Sequence, residues 1–191
     1  MVQPFTREQM KNVINGKGAG DRIPMIYNLW IHPWTYGDDE YKVRQIMDSY
    51  PMDVSIIPIR MPDLYTAPED DLEYRWMNFS KAGKESRGID EEGCLEDFER
   101  LDDVLKDFPN PNYPNMYPEI PKDDGRYRLA CWFFCLFERH WSIRGMSNAL
   151  MDFYLYPKQV HKLYDALTNF YIRLIERAKE ETNAAIRIIK S

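Results

Sequence analysis

Hydrophobic positions along this 191-residue chain fall into two rhythms, and their order predicts the fold. Near the N-terminus Met10, Val13 and Ile14 recur at helical spacing behind Thr6-x-x-Gln9, a capping-box signature, with Phe5 and Met10 placed as a hydrophobic staple. That helix stops at Gly16. The run RIPMIYNLW, residues 22–30, is short and apolar and reads as a first buried strand. Asp38 or Asp39 can cap a second helix, in which Val43, Ile46, Met47 and Tyr50 share one face until Pro51 stops it. DVSIIPIR, residues 53–60, is a second buried strand, with Pro58 at its end or at a bulge. Helix, strand, helix, strand in this order favours parallel strands joined by crossover helices.

Further along, Leu72 to Phe79 and the residues after Gly83 suggest an inserted hairpin, and Phe98 to Phe108 a short helix. PNPNYPNMYPEIP reads as a proline-rich surface connection with no single fixed conformation. A third buried strand lies in YRLACWFFCLF, near residues 127–135, and a helix follows from Ile143 to Tyr154. Pro157 then opens a long helix, to about residue 181, at its favoured first-turn position. Val160, Leu163, Tyr164, Leu167, Phe170, Tyr171, Leu174, Ile175 and Ala178 give that helix one apolar stripe. The last apolar run, at 184–189, has a strand's character. The expected fold is α/β: a partial (β/α)8 TIM barrel of about four βα units with an inserted hairpin, in a single domain over residues 1–191.

Composition narrows the class. A net charge of −6 and the lack of a long basic run argue against a nucleic-acid partner. The longest apolar stretch, Leu129 to Phe137, is too short to span a bilayer, and MVQPFTREQ lacks a secretion signal's apolar segment. A cytoplasmic location without a membrane partner is the expectation. Cys94, Cys131 and Cys135 are too few and too irregular for a disulfide framework. On one strand, Cys131 and Cys135 would stand roughly 13 Å apart, beyond disulfide reach. Buried, reduced thiols are expected.

Candidate chemistry follows from the strand ends, where ligands gather in parallel α/β architectures. Just beyond the first run lie Asn28, Trp30, His32 and Trp34. Arg60 and Asp63 follow the second, and Glu138, Arg139, His140 and Trp141 the third. The substrate-binding set is therefore Asn28, His32, Arg60, Glu138, Arg139, His140 and Trp141, converging on a small-molecule substrate. Each also has a plain reading: His32 a loop histidine, Arg60 a partner of Asp63 across a turn, Glu138 a helix-capping carboxylate. His161 lies with Lys158, Lys162 and Asp165 on a solvated helix face. No Ser-His-Asp order, HExxH motif or dinucleotide fingerprint is present.

Two stretches carry a family resemblance: TREQMKNVINGKGAGDRIPM, and the later run Phe137-Glu138-Arg139-x-Trp141-Ser142-x-Arg144-Gly145 followed by Met151-Asp152-x-x-x-x-Pro157. Together they resemble the uroporphyrinogen decarboxylase superfamily of (β/α)8 barrels, over the first half of its barrel. One branch removes carboxylates from uroporphyrinogen without a cofactor, in porphyrin biosynthesis. The other moves methyl groups between corrinoid proteins and thiols or methylated substrates, using zinc. The decarboxylases carry an arginine-rich segment directly after strand one, as a polycarboxylate substrate requires. The corresponding MIYNLWIHPWTYGDDEY contains no arginine. The resemblance thus implies a decarboxylase-like fold closer to corrinoid-dependent methyl transfer, with decarboxylation as the alternative.

The methyltransferases' zinc ligands belong to the barrel's second half, so no metal or cofactor is expected in this chain, while zinc and a corrinoid protein partner would serve the full-length protein. A third reading is a non-catalytic half-barrel that needs a second chain. Open barrel edges then predict self-association of the isolated chain, which would itself be inactive.

Overall fold

A computed structural model of the chain describes residues 2–18, 22–26, 31–50, 52–77, 95–132, 135–182 and 185–186. It is mixed α/β, mostly helical, with parallel strands. Its elements divide between two compact units. The first comprises residues 1–58, 119–131 and 178–187, and the second residues 59–118, 132–177 and 188–191. None of the helices among the described residues is long and apolar enough to cross a membrane.

The first unit is built on a sheet of β1 (Val54–Ile57), β2 (Tyr127–Ala130) and β3 (Ala185–Ile186), parallel throughout and in sequence order. Val54 stands opposite Tyr127, Ile57 opposite Ala130, and Leu129 opposite Ala185. Pro58 follows the last residue of β1, where its missing N–H costs no ladder bond. Helix α1 (Arg7–Ile14) begins with the expected capping box. The Thr6 hydroxyl accepts from the Gln9 amide, and Gln9 Oε1 accepts from the Thr6 amide at 2.8 Å. Phe5 and Met10 are both buried and join Val54 and Leu129 in one core cluster.

Beneath that core lies Asp53, fully buried and holding three chain segments together. Its carboxylate accepts from the amides of Phe5 and Met25, each at 2.6 Å, and from both terminal nitrogens of Arg22, also at 2.6 Å. The Arg22 guanidinium lies 4.0 Å over the Phe5 ring. Burial works to raise this carboxyl's pKa, but Arg22 and the two amides outweigh it and hold it below the usual range.

This arrangement bears on the start of the first expected strand. Residues 22–26 form no strand, and Ile23 is 85% exposed. Arg22 and the Met25 amide are spent on Asp53 rather than on a sheet ladder; residues 27–30 lie outside the described part. Helix α2 (Glu40–Ser49) forms where expected, after a 3-10 segment Pro33–Asp39, but buries none of its residues. Asp39 is its N-cap residue without a side-chain cap bond and pairs instead with Lys42. Its apolar face, with Ile46 60% exposed, is not the packed face of a crossover helix.

The second unit is helical and aromatic. It contains α3 (Leu101–Leu105), α4 (Leu136–Arg144), α5 (Met146–Leu155) and most of α6 (Pro157–Thr182). The expected stripe of α6 is buried at Val160, Leu163, Leu167, Phe170, Tyr171 and Leu174, whereas Tyr164 and Ile175 are half-buried. His161 is exposed, as its solvated face required.

A further expectation fails here. The proline-rich stretch is not a loose surface connection. Tyr113, Met116 and Tyr117 are buried, the Tyr117 hydroxyl donates to the Leu174 carbonyl at 2.8 Å, and Arg177 donates to the carbonyls of Pro111 and Tyr113. Of the expected hairpin, residues 72–77 make only a parallel bridge, Asp63 to Arg75, with buried Tyr74, Trp76 and Met77 around it. The rest of that segment lies outside the described residues.

Candidate functional site

The expected third strand is shorter than its apolar run. β2 ends at Ala130, and Leu136 already begins α4, so Glu138, Arg139, His140 and Trp141 lie in a helix rather than at a strand end. The run is apolar on both sides of the junction, which is why its pattern concealed the change. Successive helical residues point about 100° apart, and the four side chains accordingly part company.

His140 is fully buried and faces α5, where its Nε2 meets Asp152 Oδ2 at 3.0 Å. One helical turn on, Arg144 grips the same carboxylate, Nε to Oδ2 at 2.7 Å and Nη2 to Oδ1 at 2.9 Å. Its remaining nitrogen donates to the carbonyls of Leu95 and Glu96, and its guanidinium lies 4.8 Å over the Phe98 ring. Phe98 also stacks on His140, with Tyr164 and Phe153 edge-on to the imidazole. Burial depresses the histidine's pKa; Asp152 opposes that, and Arg144 adds to it. A neutral imidazole locked in this way is a structural group.

The hinge of this cluster is Gly145, between α4 and α5, at φ 80° and ψ 149°. That conformation belongs to glycine. Arg144, Gly145 and Asp152 were legible only as motif residues. The spacing of four between His140 and Arg144, with a carboxylate one helix later, was the signal that could have paired them.

Arg139 points elsewhere. It is 8% exposed, with its guanidinium 4.5 Å over the Trp76 ring and facing the Tyr171 hydroxyl. Trp132 stacks parallel to Tyr171, whose hydroxyl donates to the Cys135 carbonyl. Half-buried Glu138 sits in the first turn of α4, where its charge opposes the helix dipole favourably. It also faces Tyr164, Tyr171 and Cys135. Burial, with Glu138 adding to it, pushes the Tyr164 hydroxyl up to about 12; burial likewise pushes Tyr171 up to about 12. Burial and then Glu138 raise the Cys135 thiol as well, and burial raises Cys131. Neither thiol is poised as a thiolate.

Among the described residues, the buried indole N–H groups of Trp76 and Trp132 and the Tyr164 hydroxyl have no hydrogen-bond partner. Each such orphan costs about 1–3 kcal/mol. The Trp132 N–H faces the Cys135 sulfur without forming a hydrogen bond of ordinary geometry. The start of α4 thus sets half-buried Glu138 and buried Arg139 beside the rings of Trp76, Tyr164 and Tyr171.

The other expected site residues are placed differently. Arg60 is exposed and donates to the Tyr113 hydroxyl at 3.1 Å; that hydroxyl donates to Asp70 at 2.6 Å. Arg60 does not pair with Asp63, which instead accepts from the amides of Tyr65 and Thr66. His32 belongs to the first unit, exposed at the start of the 3-10 segment with its ring 4.8 Å from Trp34. Trp141 is half-buried, its carbonyl accepting from the Gly145 amide. Asn28 lies outside the described residues.

Cys131 follows β2 and Cys135 caps α4, so they do not share a strand; both are free and half-buried. Among the described residues no three His, Cys, Asp or Glu side chains are grouped to hold a metal. No family model, curated protein or solved structure matches the chain.

Proposed function

We propose that the chain is a uroporphyrinogen decarboxylase-like superfamily protein whose strands begin a (β/α)8 barrel, and that it contributes substrate binding to corrinoid-linked methyl transfer. The observation that carries this reading is the sheet, parallel and in sequence order, the arrangement from which such a barrel is built. The arginine-free stretch at 25–41 turns the reading away from uroporphyrinogen, whose carboxylates would enter without guanidinium partners at a high desolvation cost. Equilibrium dialysis of the 191-residue chain tests it. Saturable retention of methylcobalamin is expected, with none of uroporphyrinogen. Failure to retain methylcobalamin, or conversion of uroporphyrinogen to coproporphyrinogen at an enzyme-like rate, would overturn it.

A second reading, a non-catalytic chain completed by another polypeptide, is favoured by the apolar faces left open in each unit. α2 buries none of its residues, and on α5 Leu150, Tyr154 and Leu155 are exposed. Light scattering after size exclusion should then find dimers or larger species. A monodisperse monomer with a sharp melt would remove this reading.

A further inference from the structure

Helix α5 is turned inside out. An ordinary surface helix buries its apolar face and leaves its charges in water. The only charged residue of α5, Asp152, is buried with Ala149, whereas Tyr154 is 88% exposed and Leu150, Met151, Phe153 and Leu155 are 47–59% exposed. Successive helical residues stand about 100° apart, which places these five on one arc of about 200°. The helix cannot roll to hide them, because Asp152 is held by His140 and Arg144 of α4.

The size of this face suits another protein surface. Together the five exposures amount to about three whole side chains, on the order of 500 Å2 of apolar surface. That is a large patch for a monomer. It is close to the apolar share of the roughly 800 Å2 that each partner gives to an interface of standard size.

Charge selects the partner. The chain carries a net charge of −6, yet the exposed arc bears no charged side chain, so the face can meet itself without opposing like charges. Its two ends differ. The Leu95 amide donates to the Ile143 carbonyl, which sets exposed Glu96 beside the turn into α5, and exposed Lys158 follows the far end. Two copies related by a two-fold axis across the helix run antiparallel, and Glu96 of each then comes to the Lys158 end of the other. An anionic membrane would instead be repelled by Glu96 and Asp97 on the same rim.

We propose that the outer face of α5 is the contact surface of a homodimer, in which two α5 helices pack antiparallel about a two-fold axis. The proposal rests on the reading of the chain as one completed by another polypeptide, and it names that polypeptide as a second copy.

The test is sedimentation equilibrium of the 191-residue chain, which should give a monomer–dimer equilibrium. Leu150→Lys and Tyr154→Lys each place two like charges in a two-fold contact, and each should raise the dissociation constant about thirtyfold or more. Both positions are exposed, so the urea midpoints of these variants, taken below the dissociation constant, should match the wild-type monomer. Ile46→Lys on α2 should leave the dissociation constant unchanged. Glu96→Lys should weaken the dimer about two- to fivefold, and Lys158→Glu in the same chain should restore it.

A monomer at every concentration would overturn both this proposal and the reading beneath it. Association that survives both α5 variants, or that is lost in Ile46→Lys, would overturn the proposal alone. Failure of either step of the charge reversal would overturn the antiparallel arrangement. Flotation of a monomeric wild type with phosphatidylcholine–phosphatidylserine vesicles would overturn the dimer and give the face to a membrane.

Discussion

Asp53 in the first unit and Asp152 in the second are both removed from water and both met by an arginine, yet they are satisfied by different means. Asp53 takes two backbone amides, Phe5 and Met25, and a guanidinium whose side chain is 23% exposed. Asp152 takes only side chains, Arg144 and His140, which are 4% and 0% exposed. The first is a clasp between chain segments remote in sequence. The second locks two consecutive helices across a glycine hinge. The difference lies in what remains if the carboxylate is lost: a cation that can reach water, or one that cannot.

Asp152→Ala should therefore cause the larger loss, about 3–5 kcal/mol in urea unfolding, the range for stranding a buried charge. Asp53→Ala should fall at the lower end, about 3 kcal/mol, because Arg22 can rehydrate. The reverse order would show that the orphaned amides of Phe5 and Met25 outweigh the cation. Gly145→Ala sharpens the second half of the comparison. Forcing a Cβ onto φ 80° should cost about 1–3 kcal/mol, and an unchanged midpoint would mean the hinge relaxes freely.

The two sites should also respond to acid in separate windows. The Asp53 carboxyl titrates lower in the fold than in the unfolded chain, so its stabilisation is present above about pH 3.9 and lost as pH falls through the folded value. His140 is depressed as well, so the unfolded chain takes up its proton first. Stability should start to fall below about pH 6.5, no more steeply than about 1.4 kcal/mol per pH unit, and level off once the folded imidazole protonates. His140→Phe should abolish that upper slope, and a slope that survives it would assign the effect elsewhere. The smallest change, Thr6→Ala, removes the cap next to Phe5 and should cost about 1 kcal/mol, measured by the same unfolding curves.

Much of this organisation was legible. The capping box, the strand expected at 53–60 and the stripe of α6 were read from spacing alone; all are present, the strand as Val54–Ile57 with Pro58 just beyond it. All three rest on local physics: a side chain reaching its own helix's amides, a run of β-branched residues, a period of 3.6. The junction after β2 was not legible, because apolar residues on both sides erase the period that separates strand from helix. Residues 22–26, the start of the expected first strand, form no strand for a different reason. Their backbone is taken by Asp53, a partner 28 residues from Met25 that no window of the chain contains. Of the candidate residues, Glu138 and Arg139 lie beside aromatic rings. His140, singled out with them, turns instead to Asp152 on α5, a pairing that no local pattern announced.

What the amino-acid order determined by itself was which segments become helix or strand where one rhythm prevails, and that the strands pair in parallel. Only the tertiary structure decided which neighbours on α4 turn inward to Asp152 and which turn to Trp76, because a single step of the helix separates their directions by about 100°. It also decided that Tyr113, Met116 and Tyr117 of a proline-rich segment are core. Proline limits the backbone angles of such a segment but says nothing of what its aromatic side chains will pack against, and that packing is set by residues far away in the chain.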